Sequence, residues 1–300
     1  MAFLPLLMAQ CFHEKTIKLL KDMANKNAKV DGVFQPSKDG TLGQGDMSVV
    51  FKGRMNTRAG EMDVAMKFMR SDSKQAQNEI KAYRALGAAG SEVPFGIPTL
   101  YHSGIWNGYY IFAMTLLDSK FDETRKEGKL TALDYLILVR EIVKITTIIH
   151  KKKFCHGNLK IEKIMFRGDQ AFIIDYKSAR NLNVMRAKTD LTPIMRKDLT
   201  SFLQSISGDI TPQAGPIIVR KRDKIKRFFK SKLLSKIKSD QLNEVLEEFK
   251  KIIENDGELN YKKMSEFIDG KIKEETGNNP AKLSWLSEKA SSSSTASSIN

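Results

Sequence analysis

The residues richest in chemistry run from Cys155 to Arg180, CHGNLKIEKIMFRGDQAFIIDYKSAR. The stretch reads as a loop, a strand over Lys163 to Phe166, a turn at Arg167-Gly168-Asp169, a second strand over Ala171 to Ile174, and then Asp175-Tyr176-Lys177. The loop carries His156, Asn158, Lys160 and Lys163, and the second strand delivers the carboxylate of Asp175. Earlier in the chain, Gly43 and Gly45 stand where a phosphate-binding turn needs close backbone approach, followed by Ser48 and the return strand that begins Val49-Val50-Phe51; an ordinary hairpin has the same spacing. Lys67 interrupts the apolar strand Met62 to Met69. Glu79 falls with Tyr83 and Leu86 at i, i+4 and i+7, which puts a carboxylate on the apolar side of a helix. A buried glutamate needs a partner, and Lys67 is the obvious one. The bland alternatives are a lysine facing solvent from an edge strand and a glutamate on a helix surface.

These residues need elements to position them. Helical spacing of Ile17, Leu20 and Met23 predicts a helix over His13 to Lys26, and Asp31 to Gly40 reads as a turn-rich link to the first strands. Ser71, Asp72 and Ser73 offer N-cap chemistry for the Glu79 helix, which runs to about Leu86. Asn107-Gly108 is a strong hairpin signal between strands Leu100 to Ile105 and Tyr109 to Met114. The stretch from Thr131 to Lys152 is apolar around much of its circumference, as a buried helix is. Further helices are expected over Val219 to Lys238 and Gln241 to Asn255. Ser291 to Ser298 is a low-complexity tail.

Composition bounds the rest. A 300-residue chain with 41% hydrophobic residues can bury a sizeable core. A formal net charge of +15 and pI ≈ 9.6 predict attraction to phosphates, acidic proteins or anionic membranes. Cys11 and Cys155 have neither metal-ligand spacing nor a CxxC partner, so a disulfide framework is not expected and a reducing compartment fits. The apolar start MAFLPLLMAQCF is too short to span a bilayer and lacks a basic leader region, so no membrane span is expected.

The order of these features resembles the protein kinase superfamily, in which a glycine-rich turn, a Val-Ala-x-Lys strand, a helix glutamate, a His-Arg-Asp loop and an Asp-Phe-Gly follow one another. Here the matching residues are Gly43 and Gly45, Val64-Ala65-Met66-Lys67, Glu79, His156 with Lys160, and Asp175. Asp198-Leu199-Thr200-Ser201-Phe202 is similar to the start of the helix whose aspartate steadies the catalytic loop. Leu259-Asn260-Tyr261, the His-Gly loop start and Tyr176 resemble the casein kinase I and vaccinia-related branch. The resemblance implies an α+β, bilobal protein-kinase-like fold, with a small antiparallel β-sheet N-lobe holding one helix and a mainly helical C-lobe. It divides the chain into a helical extension (1–38), an N-lobe (39–117), a reduced C-lobe (118–286) and a Ser-rich tail (287–300). The implied cofactors are ATP and Mg²⁺. Gly43, Gly45, Ser48 and Val50 would cover the nucleotide, Lys67 would reach the α- and β-phosphates with Glu79 as its partner, and Met114 would be the gatekeeper before a hinge at Thr115-Leu116-Leu117. Lys160 would reach the γ-phosphate and Asp175 would hold Mg²⁺.

The chain departs from that pattern at decisive points: Asn158 replaces the catalytic Asp, Lys163 the metal-binding Asn, and Lys177 the last Gly. Asn158 cannot take a proton at neutral pH, although its carbonyl oxygen still accepts a hydrogen bond from a hydroxyl. Losing a general base costs typically about 10²–10⁴ in rate. Lys163 removes an oxygen ligand and offers phosphate an ammonium instead, or else points to solvent at a disused position. Two functions follow: a pseudokinase that occupies a protein partner such as a true kinase or a signalling complex, and a weakly active or atypical Ser/Thr kinase. Thr189, Thr192 and Pro193 are the weak hints of a substrate-binding or phosphorylated loop. The run Arg220 to Lys238 reads as a core helix with a solvated face, as a patch for an anionic partner or nucleic acid, or as a nuclear import signal. The expected location is cytoplasmic or nuclear, in a host cell if the chain is viral or an effector.

Overall fold

The computed structural model describes residues 3–45, 48–57, 60–126, 130–185, 190–210, 239–255, 257–277, 279 and 283. They fall into two compact units, Met1–Leu117 with Asp175–Ala179, and Asp118–Ile174 with Arg180–Asn300.

The first unit is built on a five-stranded antiparallel sheet in the order β1-β2-β3-β5-β4: β1 (Phe34–Gly45), β2 (Ser48–Thr57), β3 (Gly60–Arg70), β4 (Leu100–Trp106) and β5 (Tyr109–Thr115). Six successive residues of β3, Val64 to Met69, are buried, because both faces of the sheet are covered. Val64, Met66 and Phe68 join Val49, Phe51, Ile111, Ala113 and Phe34 on one face, closed by Leu20 of helix α1 (Phe3–Asn25). Ala65, Lys67 and Met69 point to the opposite face by strand alternation. Helix α2 (Lys74–Ala85) lies against β4 and β5, and its Glu79, Ile80 and Tyr83 are buried. It begins where Ser73 accepts a hydrogen bond from the backbone N–H of Ala76, and ends at Leu86.

Two boundaries differ from the sequence reading. Helix α1 starts at Phe3 rather than near His13. Pro5 sits in its first turn, where a missing N–H costs nothing. Strand β1 absorbs most of the segment Asp31 to Gly40 that reads as a turn. Phe34, Pro36 and Gly40 are buried, and register shifts between Pro36 and Thr41 and between Thr41 and Gly43 take up the extra residues as bulges.

The second unit is mainly helical. A three-stranded sheet, β6 (Ser119–Lys120), β8 (Ile164–Arg167) and β9 (Gln170–Ile173), accompanies α3 (Phe121–Lys126) and the long α4 (Ala132–Lys151). Thr131 and Asp134 form a reciprocal capping box at the start of α4. A two-stranded ribbon joins β7 (Phe154–Cys155) to β10 (Arg180–Asn181). Helix α5 (Thr192–Ile210) packs on α6 (Ser239–Glu254), and α7 (Tyr261–Thr276) packs on α4. Arg196 clamps the end of α6, donating to the carbonyls of Ile253, Asn255 and Gly257. Thr192 and Pro193 prove to be the first turn of α5, capped by Asp190, whose carboxylate accepts from the N–H of Thr192. That cap holds the Asp190 carboxyl below its ordinary range. Thr189, Arg220 to Lys238 and the Ser-rich tail lie outside the described residues.

One glycine shows how tightly the sheet is set. A Cβ on Gly53 would stand 2.3 Å from the Gln35 carbonyl oxygen and 2.4 Å from the Phe34 ring. Gly53→Ala should therefore lower stability by roughly 1–3 kcal/mol in a urea titration, although alanine ordinarily improves on a strand glycine. A neutral or stabilising result would contradict the bulged register of β1 on β2.

Candidate functional site

In the first unit the register across the sheet places the glycine turn and the lysine in one row. Gly43 opposes Val50, Val50 opposes Lys67, and Lys67 opposes Phe112. Ser48 opposes Met69, and Met114 opposes Ala65, so Ser48, Val50, Lys67 and Met114 all project from the same face, the one opposite α1. Gly45 pairs with Ser48 at the end of the hairpin.

Lys67 is 7% exposed and Glu79 1%. The ammonium donates to both Glu79 oxygens, at 2.7 and 3.0 Å, and to Oδ1 of Asp175 at 3.2 Å. Its stem also brings the charge 5.7 Å from the centre of the Phe112 ring. Burial by itself pulls the Lys67 group down, but the two carboxylates and their hydrogen bonds outweigh it and hold the group above its ordinary value. A raised folded value means that this stabilisation is fully present at neutral pH and is lost only in strong alkali, as pH climbs through the folded value. Burial pushes the Glu79 carboxyl up, and the Lys67 ammonium pulls against it.

Asp175 occupies the left-handed region, φ 70°, which aspartate tolerates better than most residues. The turn that follows, Tyr176–Ser178, is pinned to α2 by a residue the sequence reading did not single out. Asn78 donates to the carbonyls of Lys177 and Ala179, both at 2.9 Å. Tyr176 meets Tyr83 edge to face, with ring centroids 5.1 Å apart. Lys177 then turns back on Asp175, its Nζ 3.8 Å from Oδ2.

The second unit holds the loop. Asp198, 3% exposed and nearly two turns into α5, accepts from the N–H of His156 at 2.6 Å and from the N–H of Gly157 at 2.8 Å. Nε2 of His150 adds a third bond to the same carboxylate, and the Tyr261 hydroxyl donates to Nδ1 of that ring. Burial and the nearby Asp198 charge push the Tyr261 hydroxyl far above its ordinary value. His156 is fully buried. Its Nε2 donates to the Ile174 carbonyl and its Nδ1 accepts from the N–H of Asn158. Gly157 has φ 76°, which suits glycine where a larger residue would be strained. Ser205 holds the N–H of Ile161, and Lys163 exchanges backbone bonds with Lys160 and Ile174. Asn158 and Lys163 are half-buried, and Lys160 is exposed. Burial pushes the Cys155 thiol up to about 11, so it is protonated and unreactive at neutral pH.

In the first unit Lys67, Glu79 and Asp175 meet, Gly43 and Val50 lie in the same row of the sheet as Lys67, and Gly45, Ser48 and Met114 lie elsewhere on that sheet; in the second, Asn158, Lys160 and Lys163 follow one another on the loop, with Lys163 bonded through its backbone to Lys160. The protein kinase domain family matches residues 37–194, just over half of the sequence. The chain belongs to the protein kinase family. A curated relative, the casein kinase 1-like protein HD16 of Oryza sativa subsp. japonica, is 27% identical over 139 residues, which make up 42% of this chain and 19% of that protein. The chain thus spans about a fifth of the length of the curated relative it matches. That similarity agrees with the casein kinase 1 character of the sequence.

Protein kinase domains as a class use ATP and Mg²⁺. Mg²⁺ demands a near-octahedral shell of oxygens. Among the described residues no group of three or more His, Cys, Asp or Glu is placed to hold a metal ion. The one carboxylate the family pattern supplies, Asp175, already faces an ammonium on each oxygen, and Lys163 stands where an oxygen ligand is required. These side chains do not fit the ion as they stand.

The loop scaffold yields a direct test. Asp198→Ala strands two backbone N–H groups and a buried imidazole, and should cost about 3 kcal/mol or more in a urea titration, since bonds to a charged group are worth roughly 1.5–3 kcal/mol. Asp198→Asn keeps one acceptor oxygen and should lose less. Equal stability of the alanine variant and the unmodified protein would show that Asp198 does not organise the loop.

Proposed function

We propose that this chain is a pseudokinase. It binds adenine nucleotide through the retained Lys67, Glu79 and Asp175 set, and acts by engaging a protein partner, such as a true kinase or a signalling complex, instead of transferring phosphoryl groups. The observation that supports this most is the contrast between the units. The buried Lys67–Glu79 pair is complete, with both carboxylate oxygens in hydrogen-bonding range, whereas position 158 offers only an amide. An amide can orient a hydroxyl but cannot accept its proton. The basic run Arg220 to Lys238 would favour an acidic partner, and a cytoplasmic or nuclear site of action accords with the free thiols Cys11 and Cys155. Among the described residues no helix is long and apolar enough to cross a membrane.

One observation favours a second reading, a weak or atypical Ser/Thr kinase: Asp198 still braces the backbone of the loop at His156 and Gly157. A loop with no remaining task has no need of that brace.

The test is transfer of radiolabel from ATP to the protein itself and to generic acidic and basic substrates, with nucleotide retention followed by equilibrium dialysis. Asp175→Ala sets the background. Lys67→Ala is a poor control, because it leaves Glu79 buried without its cation and destabilises the fold. The unmodified chain and Asn158→Asp should both retain nucleotide and both stay at background for transfer. Transfer by the unmodified chain, abolished in Asp175→Ala, would establish the second reading. A gain of about 10²–10⁴ in Asn158→Asp alone would mean that only the general base is missing.

A further inference from the structure

Lys177 stands where the family pattern has glycine, and its charge falls on the one carboxylate that pattern assigns to a metal. Its Nζ is 3.8 Å from Oδ2 of Asp175, while Lys67 lies 3.2 Å from Oδ1. Both oxygens of Glu79 are taken by Lys67. The first unit therefore sets the carboxylates of Glu79 and Asp175 against the ammoniums of Lys67 and Lys177. Glycine at 177 would leave that group one positive charge poorer.

The placement of Lys177 is built in. Asn78 holds its carbonyl and that of Ala179 on α2, and Tyr176 between Asp175 and Lys177 is fully buried against Tyr83. The Lys177 side chain is 20% exposed, so the ammonium sits at the edge of the buried cluster and can still reach a ligand. A lysine ammonium is a compact point charge with three donors, suited to phosphate oxygens, and it offers nothing to a metal ion.

We propose that Lys177 acts as an internal counter-cation. The polyphosphate of a nucleoside di- or triphosphate is then bound by ammonium groups directly, with no divalent cation at Asp175. The proposal rests on the nucleotide-binding reading above and adds its charge chemistry: the preferred ligand is the metal-free nucleotide.

The experiment measures ATP binding to the full chain by equilibrium dialysis in excess EDTA and in excess Mg²⁺, and Mn²⁺ binding by water proton relaxation. The unmodified protein should bind ATP in EDTA at least as tightly as in Mg²⁺ and should not enhance relaxation by holding Mn²⁺. Lys177→Gly should weaken binding in EDTA by about tenfold or more, the worth of a charge-assisted hydrogen bond. Lys177→Met, which keeps the stem and drops the charge, should show the same loss in EDTA and serves if the glycine variant fails to fold. ATP binding by the unmodified chain only in Mg²⁺ would overturn the proposal while leaving nucleotide binding intact. Undiminished EDTA binding in a folded Lys177→Met would overturn the role of Lys177. Binding in neither condition would overturn the nucleotide reading and this proposal with it.

Discussion

A lysine side chain buried in the middle of a strand is the constraint on which the first unit depends. Taking an isolated ammonium out of water is prohibitive, so Lys67 can exist on β3 only if carboxylates meet it. Glu79 is delivered by α2 and Asp175 by the chain that leaves β9, two segments far apart in sequence. The pair thereby fixes which face of α2 turns toward the sheet, and Asn78, one residue earlier, fastens the turn that carries Lys177. At the effective dielectric of about 20 that suits such sites, two unit charges about 4 Å apart attract by roughly 4 kcal/mol. Desolvation consumes much of that, which makes the network better suited to specifying one arrangement than to adding stability.

The second unit solves a similar problem with a single carboxylate. Asp198 is buried in α5 and satisfied by two backbone N–H groups and an imidazole. The two backbone bonds restrict the loop from which Asn158 and Lys160 project, and the His150 bond ties the carboxylate to α4. The loop is therefore held in a defined form although its base is an amide. Against the family pattern, the loop base is an amide at Asn158 and the metal-binding Asn is a lysine at Lys163, while Lys67, Glu79 and Asp175 are kept.

Much of this was legible in the sequence because burial of charge leaves a pattern. Lys67 stood out as a charge set between the apolar Met66 and Phe68, Glu79 as a carboxylate in phase with Tyr83 and Leu86, and Asp198 by its place after the loop. Helix α4 and the hairpin at Asn107-Gly108 were readable from periodicity and turn chemistry. What escaped the reading had no local signature. Asn78 is an ordinary polar helix residue until its two acceptor carbonyls arrive from about a hundred positions away. Lys177 meets Asp175 because the intervening turn is tight, and side chains two apart on a helical turn are not expected to face each other. Pro36, Lys38, Asp39 and Gly40 look like a turn, yet they lie in a bulged strand because Phe34 and Pro36 have a core to enter. Thr192 and Pro193 look like loop chemistry, yet Asp190 makes them a helix start.

The most direct test of the central claim, that the Lys67–Glu79 pair is what organises the first unit, is a double-mutant cycle read by urea denaturation. Lys67→Met and Glu79→Leu should each destabilise strongly, by about 3–5 kcal/mol, because the first leaves the buried Glu79 without its cation and the second leaves the buried Lys67 only the longer bond to Asp175. The double variant removes both charges, and Lys177 remains for Asp175. It should recover a substantial part of the loss, giving a coupling within the roughly 0.5–3 kcal/mol range of contacting residues. Strictly additive losses, or single variants as stable as the unmodified protein, would contradict the account.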